Sequence, residues 1–224
     1  MEAGEAFAWL RQGWALFLDA PLFWLPTMSV LLLVALTLMF VPAGALTVSF
    51  VAPTIAAMML EACRSLVFGE RDVFTACVAR LSGRVFRLLQ IGAATTLVLS
   101  AVITVVLGGY YVGYVRQAEQ QGLLVGLIGL GCALILLAML CVPLLMATWF
   151  APALVVFNDM GALAAIKASF EASRRNVPAL AVLALAVFVL AILALLPGGL
   201  GLPVLCPVVA GAAYVSYRDV FLAD

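Results

Sequence analysis

Three arginines, Arg80, Arg84 and Arg87, have the residue type and spacing in this chain that best suit a chemical role. They recur at steps of four and three residues, so a helix would carry all three on one face. A basic face beside a membrane attracts anionic lipid headgroups or an acidic partner. A solvated face without a ligand is the alternative. We take the three residues as the candidate contact for an anionic lipid or a partner.

Catalytic chemistry has few candidate residues. The sequence contains no histidine, the most frequent general base and metal ligand. It has no Walker loop and none of the motifs G-x-S-x-G, H-E-x-x-H or C-x-x-C. The five cysteines show no metal-ligand spacing. We therefore expect no enzyme activity, no cofactor and no metal, and the balance of 11 basic and 11 acidic residues gives no reason to expect nucleic acid as a partner.

The composition indicates which elements must position these residues. Of the 224 residues, 67% are hydrophobic and 10% are charged, whereas about 25% are charged in a soluble domain. The charges leave long uncharged windows, and two of these windows contain turn residues, at 42–44 and 197–199. Because about 20 apolar residues span a bilayer, the pattern predicts six transmembrane helices. We expect an all-α, polytopic bundle that forms a single integral membrane domain over residues 1–224.

The basic residues are distributed unevenly between the two ends of these spans. Ten of the eleven lie in segments predicted on one side, and Arg116 alone lies on the other. Basic segments stay in the cytoplasm, so we expect both termini to be cytoplasmic. A cleaved signal peptide is the competing interpretation of the N-terminus, but Glu2, Glu5 and Asp19 are acidic where a signal peptide is basic.

Three stretches on the predicted cytoplasmic side have helical periodicity and predict amphipathic interfacial helices, with their apolar faces toward the lipid. The periodic positions are Phe7, Leu10, Trp14 and Phe17 in the first stretch, Phe74, Cys77 or Val78, Leu81, Val85 and Leu88 in the second, and Leu163, Ile166 and Phe170 in the third. Asp159 precedes the third stretch, and we expect it to be the N-cap of that helix. Glu61 and Arg64 are spaced to form an ion pair at the end of the second span.

Several landmarks recur along the chain. Pro53 and Pro207 are 154 residues apart, and so are Arg64 and Arg218. With Pro152 in the middle third, the pattern predicts three units of one interfacial helix and one transmembrane hairpin, over 1–69, 70–157 and 158–224. Coincidence is the alternative, because topology alone places prolines and arginines near span ends. The prolines are expected either as plain kinks or as breaks that mark a substrate site.

Gly122, Gly126 and Gly129 form a small-residue face at the start of the fourth span. Small residues let transmembrane helices approach closely. We expect this face to pack against the third span, and contact with another subunit is the alternative.

A combination of short segments extends over nearly the whole chain: residues 13–17 with Pro21 and Trp24, residues 149–155, residues 167–170 with Asn176, and residues 216–221. This combination resembles an uncharacterised family of six-span bacterial inner-membrane proteins. The resemblance implies a multi-pass protein of the bacterial inner membrane and no activity, because none is established for the family. A more distant resemblance is to the membrane domain of some bacterial glycerophosphodiester phosphodiesterases.

These patterns favour a protein that binds rather than catalyses. We expect a scaffold, assembly factor or accessory subunit that acts through helix contacts with another membrane protein within the lipid bilayer. The alternative is a carrier or binder of a lipid or another apolar small molecule.

Overall fold

The computed structural model describes residues 4–70, 72–115 and 118–222, and these residues form helices without strands. Arg71 and Arg116, which contributed to the expected orientation, lie outside the described residues. The helices are α1 (Glu5–Asp19), α2 (Pro21–Met39), α3 (Gly44–Val67), α4 (Val73–Leu81), α5 (Val85–Tyr110), α6 (Ala118–Thr148), α7 (Ala151–Phe157), α8 (Ala162–Arg175), α9 (Val177–Leu195) and α10 (Leu202–Phe221).

Within these residues, six helical segments are long and apolar enough to cross a membrane, which confirms the predicted number. The segments are Pro21–Met39, Gly44–Val67, Val85–Tyr114, Leu124–Phe157, Val177–Leu195 and Leu202–Phe221. The third includes α5 and most of a π-helical turn that follows it, and the fourth includes α7 and most of α6. The chain is therefore a polytopic helical membrane protein.

The two predicted turns separate the first and last pairs of spans. Ala43 has a φ of 62°, and Gly198 and Gly199 have φ values of 68° and 87°. Backbone with positive φ favours glycine, because a Cβ atom is strained there. At Gly44 an added Cβ would lie 1.6 Å from the carbonyl oxygen of Leu38, so the first reversal is too tight for a side chain.

The three connector helices α1, α4 and α8 each precede a pair of spans. Each connector also packs on the second span of another pair: α4 on α3, α8 on α6 and α7, and α1 on α10. Because α1 packs on the last helix of the chain, these contacts form a closed circle. This order favours the three units 1–69, 70–157 and 158–224, a division that stays a prediction.

The structure divides the predicted apolar positions of the connectors into two sets. Phe7 is 63% exposed, and Phe74 and Leu163 are each 66% exposed, so these side chains are free to face lipid, and their interfacial location stays a prediction. The face that packs on the spans shares Phe17, Cys77 and Leu81 with the predicted positions. Its members are Ala6, Trp9, Gly13 and Phe17 in α1, Val73, Cys77 and Leu81 in α4, and Ala165, Ser169 and Ser173 in α8. Small residues are frequent on this face because they let helix backbones approach closely.

The contact between α1 and α10 depends on two glycines. An added Cβ at Gly13 would lie 2.3 Å from the carbonyl oxygen of Val208, and one at Gly211 would lie 2.7 Å from the Cα atom of Gly13. Real Cβ contacts are longer than either distance, so both positions require glycine. The last helix and the first are thereby held backbone to backbone.

The two ends of the bundle differ in packing. We name the end that carries α1, α4 and α8 the closed end, and the end with the turns at 40–43 and 196–201 the open end. At the closed end every residue from 150 to 156 is buried, and Trp9 and Tyr217 are among the largest fully buried side chains. The core of the protein therefore lies at the closed end.

Toward the open end the spans bury few residues. Gly44 is the one buried residue in the described range 29–52, and Ala194 is the one in the range 184–206. The large apolar side chains of these segments stay exposed, as Leu33 and Leu193 illustrate. Because such side chains are stable in hydrocarbon, the open end presents apolar surface to the interior of the membrane.

Candidate functional site

Arg80, the first of the three candidate arginines, is paired within the chain. Its Nη1 atom donates hydrogen bonds to Glu70 Oε2 and Ser65 Oγ, each at 3.1 Å, and its Nη2 atom donates to the other oxygen of Glu70. The hydrogen bonds from Arg80 lower the pKa of Glu70 below its ordinary value. Arg80 therefore fastens α4 to the chain that follows α3.

Arg84 and Arg87 share one carboxylate. Arg84 Nε donates to Asp159 Oδ1 at 3.1 Å, and Arg87 Nη1 donates to the same oxygen at 3.0 Å and to the carbonyl oxygen of Asp159 at 2.8 Å. The hydrogen bonds from Arg84 and then Arg87 lower the pKa of Asp159. The structure brings the three arginines to the closed end, each beside a carboxylate of this chain. Contact with an anionic lipid or partner stays a prediction for them.

Asp159 corrects an expectation. The N-cap of α8 is Gly161, and no side chain caps that helix end. Asp159 instead has a φ of 54°, a left-handed conformation that Asp adopts more readily than most residues. This backbone turn places its carboxylate against Arg84 and Arg87, so the residue links the segment before α8 to the start of α5 rather than capping a helix.

The predicted ion pair of Glu61 and Arg64 is confirmed, at 3.6 Å between Oε1 and Nη1. Glu61 is only 1% exposed, and its second oxygen lies 3.6 Å from Arg80 Nη1 without a hydrogen bond among the described residues. A buried carboxylate is stable only beside opposite charge. Glu61, in the second span, therefore lies within ion-pair distance of both Arg64 and Arg80 at the closed end.

The predicted prolines differ in effect. Pro53 and Pro207 lie inside α3 and α10, and both helices continue past them. The fourth span instead stops at Thr148 and resumes at Ala151, with Pro152 in the first turn of α7. One of the three prolines therefore coincides with a true break.

Two buried serines of α8 support this break. Phe150 N donates to Ser169 Oγ at 3.0 Å, and Ser169 Oγ donates to the carbonyl oxygen of Met146 at 2.9 Å. Ser173 Oγ donates to the same carbonyl at 3.0 Å. Backbone groups freed by a helix break in a membrane need such partners. The connector α8 is therefore part of the fourth span's hydrogen bonding.

A cavity of about 470 Å³ opens at the closed end, between the ends of α3, α7 and α10. Its lining includes Arg64, Phe157, Asn158, Tyr214, Tyr217 and Arg218. In the sequence, Arg64 and Arg218 each follow a proline, Pro53 and Pro207, by 11 residues, but the sequence assigned them no site. This equal spacing was the available signal.

Aromatic rings and one amide surround these two cations. Arg64 Cζ lies 5.5 Å from the ring centroid of Phe157, and Arg218 Cζ lies 6.0 Å from that of Tyr214. Both distances fall within the range of a cation–π contact. The hydroxyl of Tyr217 donates to Asn158 Oδ1 at 2.5 Å. The amide nitrogen of Asn158 is left as a donor on the cavity wall.

The three candidate glycines have different surroundings. A Cβ at Gly129 would lie 2.9 Å from the ring of Tyr114, so this glycine packs on the π-helical turn after α5. Gly126 accepts a hydrogen bond from Tyr110 through its carbonyl, but the space on its Cβ side is open. Gly122 has non-helical backbone, with φ 76° and ψ 158°. The regular small-residue face therefore begins after Gly122 and is partly uncovered.

No group of three or more His, Cys, Asp or Glu side chains that could hold a metal ion occurs in the part of the chain that the structure describes. The expectations of no metal, no cofactor and no enzyme activity stay predictions.

Comparison with protein-family models, curated proteins and solved structures found no match to this chain. The resemblance to the inner-membrane family therefore stays a prediction.

Proposed function

We propose that this protein is a non-catalytic scaffold or accessory subunit of the bacterial inner membrane, which binds a transmembrane helix of another protein at its open end. The observation that carries the proposal is the contrast in burial between the two ends. The hairpins are packed together at the closed end, whereas at the open end their apolar side chains have few partners within the chain. Surfaces of this kind suit a further helix.

The fourth span offers the best-shaped surface for that helix. Gly126 and Gly131 have open space where a side chain would be. Leu127 and Ile128 beside them are 55% and 59% exposed. Transmembrane helices associate where small residues let backbones approach and larger side chains interlock. The start of α6 therefore supports helix docking better than a uniformly bulky surface would.

Photo-crosslinking in native membranes tests the proposal. A photoreactive residue is placed at Leu127 on α6 or, as the matched control, at Phe74 on α4, which is equally apolar and 66% exposed but lies at the closed end. We expect one discrete protein adduct from position 127 and none from position 74. Gly126→Leu, which fills the open space, should remove the adduct without reducing the amount of protein in the membrane. An adduct that persists in Gly126→Leu, or no adduct at 127, contradicts the proposal.

We propose that the closed end faces the cytoplasm. The arginines and lysine of α3, α4, α8 and α10 support this orientation, because basic segments are retained on the cytoplasmic side. Single cysteines at Arg174, which is exposed on α8, and at Val41, in the first open-end turn, report the two sides. A membrane-impermeant maleimide should label the first only in inverted vesicles and the second only in right-side-out vesicles. The reverse result would place the closed end outside.

Binding of a lipid is the second candidate function. The closed-end cavity favours it, because two arginines line a cavity that also has aromatic walls. In this case the protein would hold or pass on a lipid rather than a protein helix. Retention of a lipid through purification would support it.

A further inference from the structure

We propose that the closed-end cavity binds a phosphate group carried by a membrane lipid headgroup, with Arg64 and Arg218 as its two cationic contacts. The inference deepens the second candidate function and rests on it. The site differs from the contact first expected at Arg80, Arg84 and Arg87, and a different observation supports it.

The first argument is the charge that remains available. Arg218 has no ion pair with any residue in 4–70, 72–115 or 118–222, and the neighbouring Asp219 accepts a hydrogen bond from Trp9 Nε1 at 2.7 Å. Arg64 has one acidic partner, Glu61, which is buried and does not line the cavity. Two cations therefore line the cavity wall without an acidic residue in that wall.

The three arginines of the first expectation differ in this respect. Arg80 forms hydrogen bonds with Glu70, and Arg84 and Arg87 share the carboxylate of Asp159. An anionic ligand would have to displace these carboxylates. At Arg218 it would displace only solvent, so the cavity is the better anion site on the same end of the molecule.

The second argument is geometry. The ring of Phe157 lies against the Arg64 guanidinium, and the ring of Tyr214 lies against that of Arg218. These contacts restrict the conformations of both arginine side chains, so a ligand loses less binding free energy in ordering them. The amide nitrogen of Asn158 adds a neutral donor, oriented by the hydroxyl of Tyr217. Guanidinium groups with an additional N–H donor suit the oxygens of a phosphate.

The third argument is depth. Arg64 and Arg218 each lie three residues before the last residue of their span, Val67 in α3 and Phe221 in α10. The ends of apolar spans lie near the headgroup region of the bilayer. Val67 and Leu222 give the same cavity apolar wall. A phosphate attached to acyl chains therefore fits the position better than a free ion.

Native mass spectrometry of the purified protein in detergent tests the inference, with phosphatidylglycerol as the probe. We expect one lipid per protein, and an apparent Kd raised about tenfold or more in Arg64→Gln/Arg218→Gln, because each charge-assisted hydrogen bond contributes strongly to binding. Arg174→Gln/Arg175→Gln removes the same charge from exposed arginines of α8. That control should change the Kd by about twofold or less.

Arg218→Gln alone guards against misfolding of the double variant, since Arg218 is exposed and Arg64 pairs with buried Glu61. Arg218→Gln should raise the Kd of the lipid about threefold.

Inorganic phosphate is the second probe, and only millimolar concentrations should displace the lipid. Equal lipid binding by the double variant and its control would overturn the site but leave lipid binding itself standing. No bound lipid in the wild type would overturn both the proposed site and the second candidate function, lipid binding. Arginine-dependent binding of inorganic phosphate without lipid binding would overturn the lipid as carrier.

Discussion

The closed end and the open end are formed by the same six spans but are held together differently. At the closed end, Arg80 beside Glu61 joins α4 to α3, buried serines join α8 to the fourth span, and a glycine crossing joins α1 to α10. Toward the open end few residues are buried. Contacts between spans of different pairs are still present, as between α3 and α5, which are joined by a hydrogen bond from Thr96 Oγ1 to Ser49 Oγ at 3.1 Å.

This difference shows what assembles the bundle. Transmembrane helices gain little from apolar contact with each other, because lipid is equally apolar. Polar contacts and close backbone approach must therefore hold the hairpins. The ion pairs and serine contacts lie beside the connectors, whereas close backbone approach occurs at both ends, as at Gly13 and Gly44. Docking of another molecule at the open end stays a proposal. Four predictions test this contrast, in order of decreasing effect.

The largest effect is expected at Trp9, which is fully buried on α1 and donates to Asp219. Trp9→Ala should lower the free energy of unfolding by about 3–5 kcal/mol, as large-to-small core substitutions do. Trp14→Ala on the same helix is the control, because Trp14 is 46% exposed. Its cost should stay below about 1 kcal/mol. Thermal unfolding in detergent measures both. A larger loss for Trp14 would mean that the side of α1 carrying Trp14, and not the side carrying Trp9, packs on the protein.

A smaller loss is expected at the α1–α10 crossing. Gly13→Ala would place a Cβ 2.3 Å from the carbonyl oxygen of Val208, and the strain should cost about 1–3 kcal/mol. Gly131→Ala in α6 meets no neighbour, so it should be neutral or stabilising by up to about 1 kcal/mol. Equal melting temperatures for the two variants would show that α1 does not approach α10 as described.

The serine bridge to the broken fourth span comes next. Ser169→Ala leaves Phe150 N without its partner, and an unsatisfied buried donor costs about 1–3 kcal/mol. Here we expect about 1–2 kcal/mol, because Ser173 still donates to the carbonyl of Met146. Ser100→Ala is the control: Ser100 bonds only to a carbonyl of its own helix, so the loss should stay within about 0.5 kcal/mol. Indistinguishable unfolding curves for the two variants would exclude the bridge.

The smallest effect is a pH dependence at Asp159. Its pKa is lowered from the ordinary value of 3.8 by hydrogen bonds from Arg84 and Arg87. The stabilisation is therefore complete above that ordinary value and is lost as the pH falls through the lowered pKa. The melting temperature of the wild type minus that of Asp159→Asn should be constant from about pH 7 to 5 and should shrink below about pH 4. A difference that does not change with pH would exclude the shared ion pair.

Local patterns in the sequence predicted the local features. Apolar length and turn residues gave the six spans, and helical spacing gave the ion pair of Glu61 and Arg64. The pairing of Asp159 with Arg84 and Arg87 joins residues more than 70 positions apart, and spacing along one helix says nothing about such contacts. The local sequence favoured Asp159 as an N-cap, but in the structure its carboxylate pairs with two arginines that are distant in sequence.

The side of each connector that packs on the spans was not predicted, for a related reason. Periodic large apolar residues predict a helix and one apolar side, but the side that packs on the spans is set by small residues such as Gly13 and Ser169. Whether a small residue allows close packing depends on which backbone lies opposite it, and the sequence does not identify that backbone. The meeting of Arg64 and Arg218 was likewise visible only as equal spacing.

The most direct test of the contrast between the two ends is the oxygen accessibility of nitroxide labels along α9, from Val177 to Leu195, in liposomes. Oxygen dissolves in the bilayer, so collision rates report contact with lipid. The account predicts helical periodicity in the first half of α9, with minima at Ala179 and Leu183, which are buried. Beyond residue 184 it predicts a shallower periodicity, with partial protection at Ala186, Val187 and Ala191 and a further minimum at Ala194. Protection at Val187 and Ala191 as strong as at Ala179 and Leu183 would show a bundle packed equally at both ends and would contradict the account.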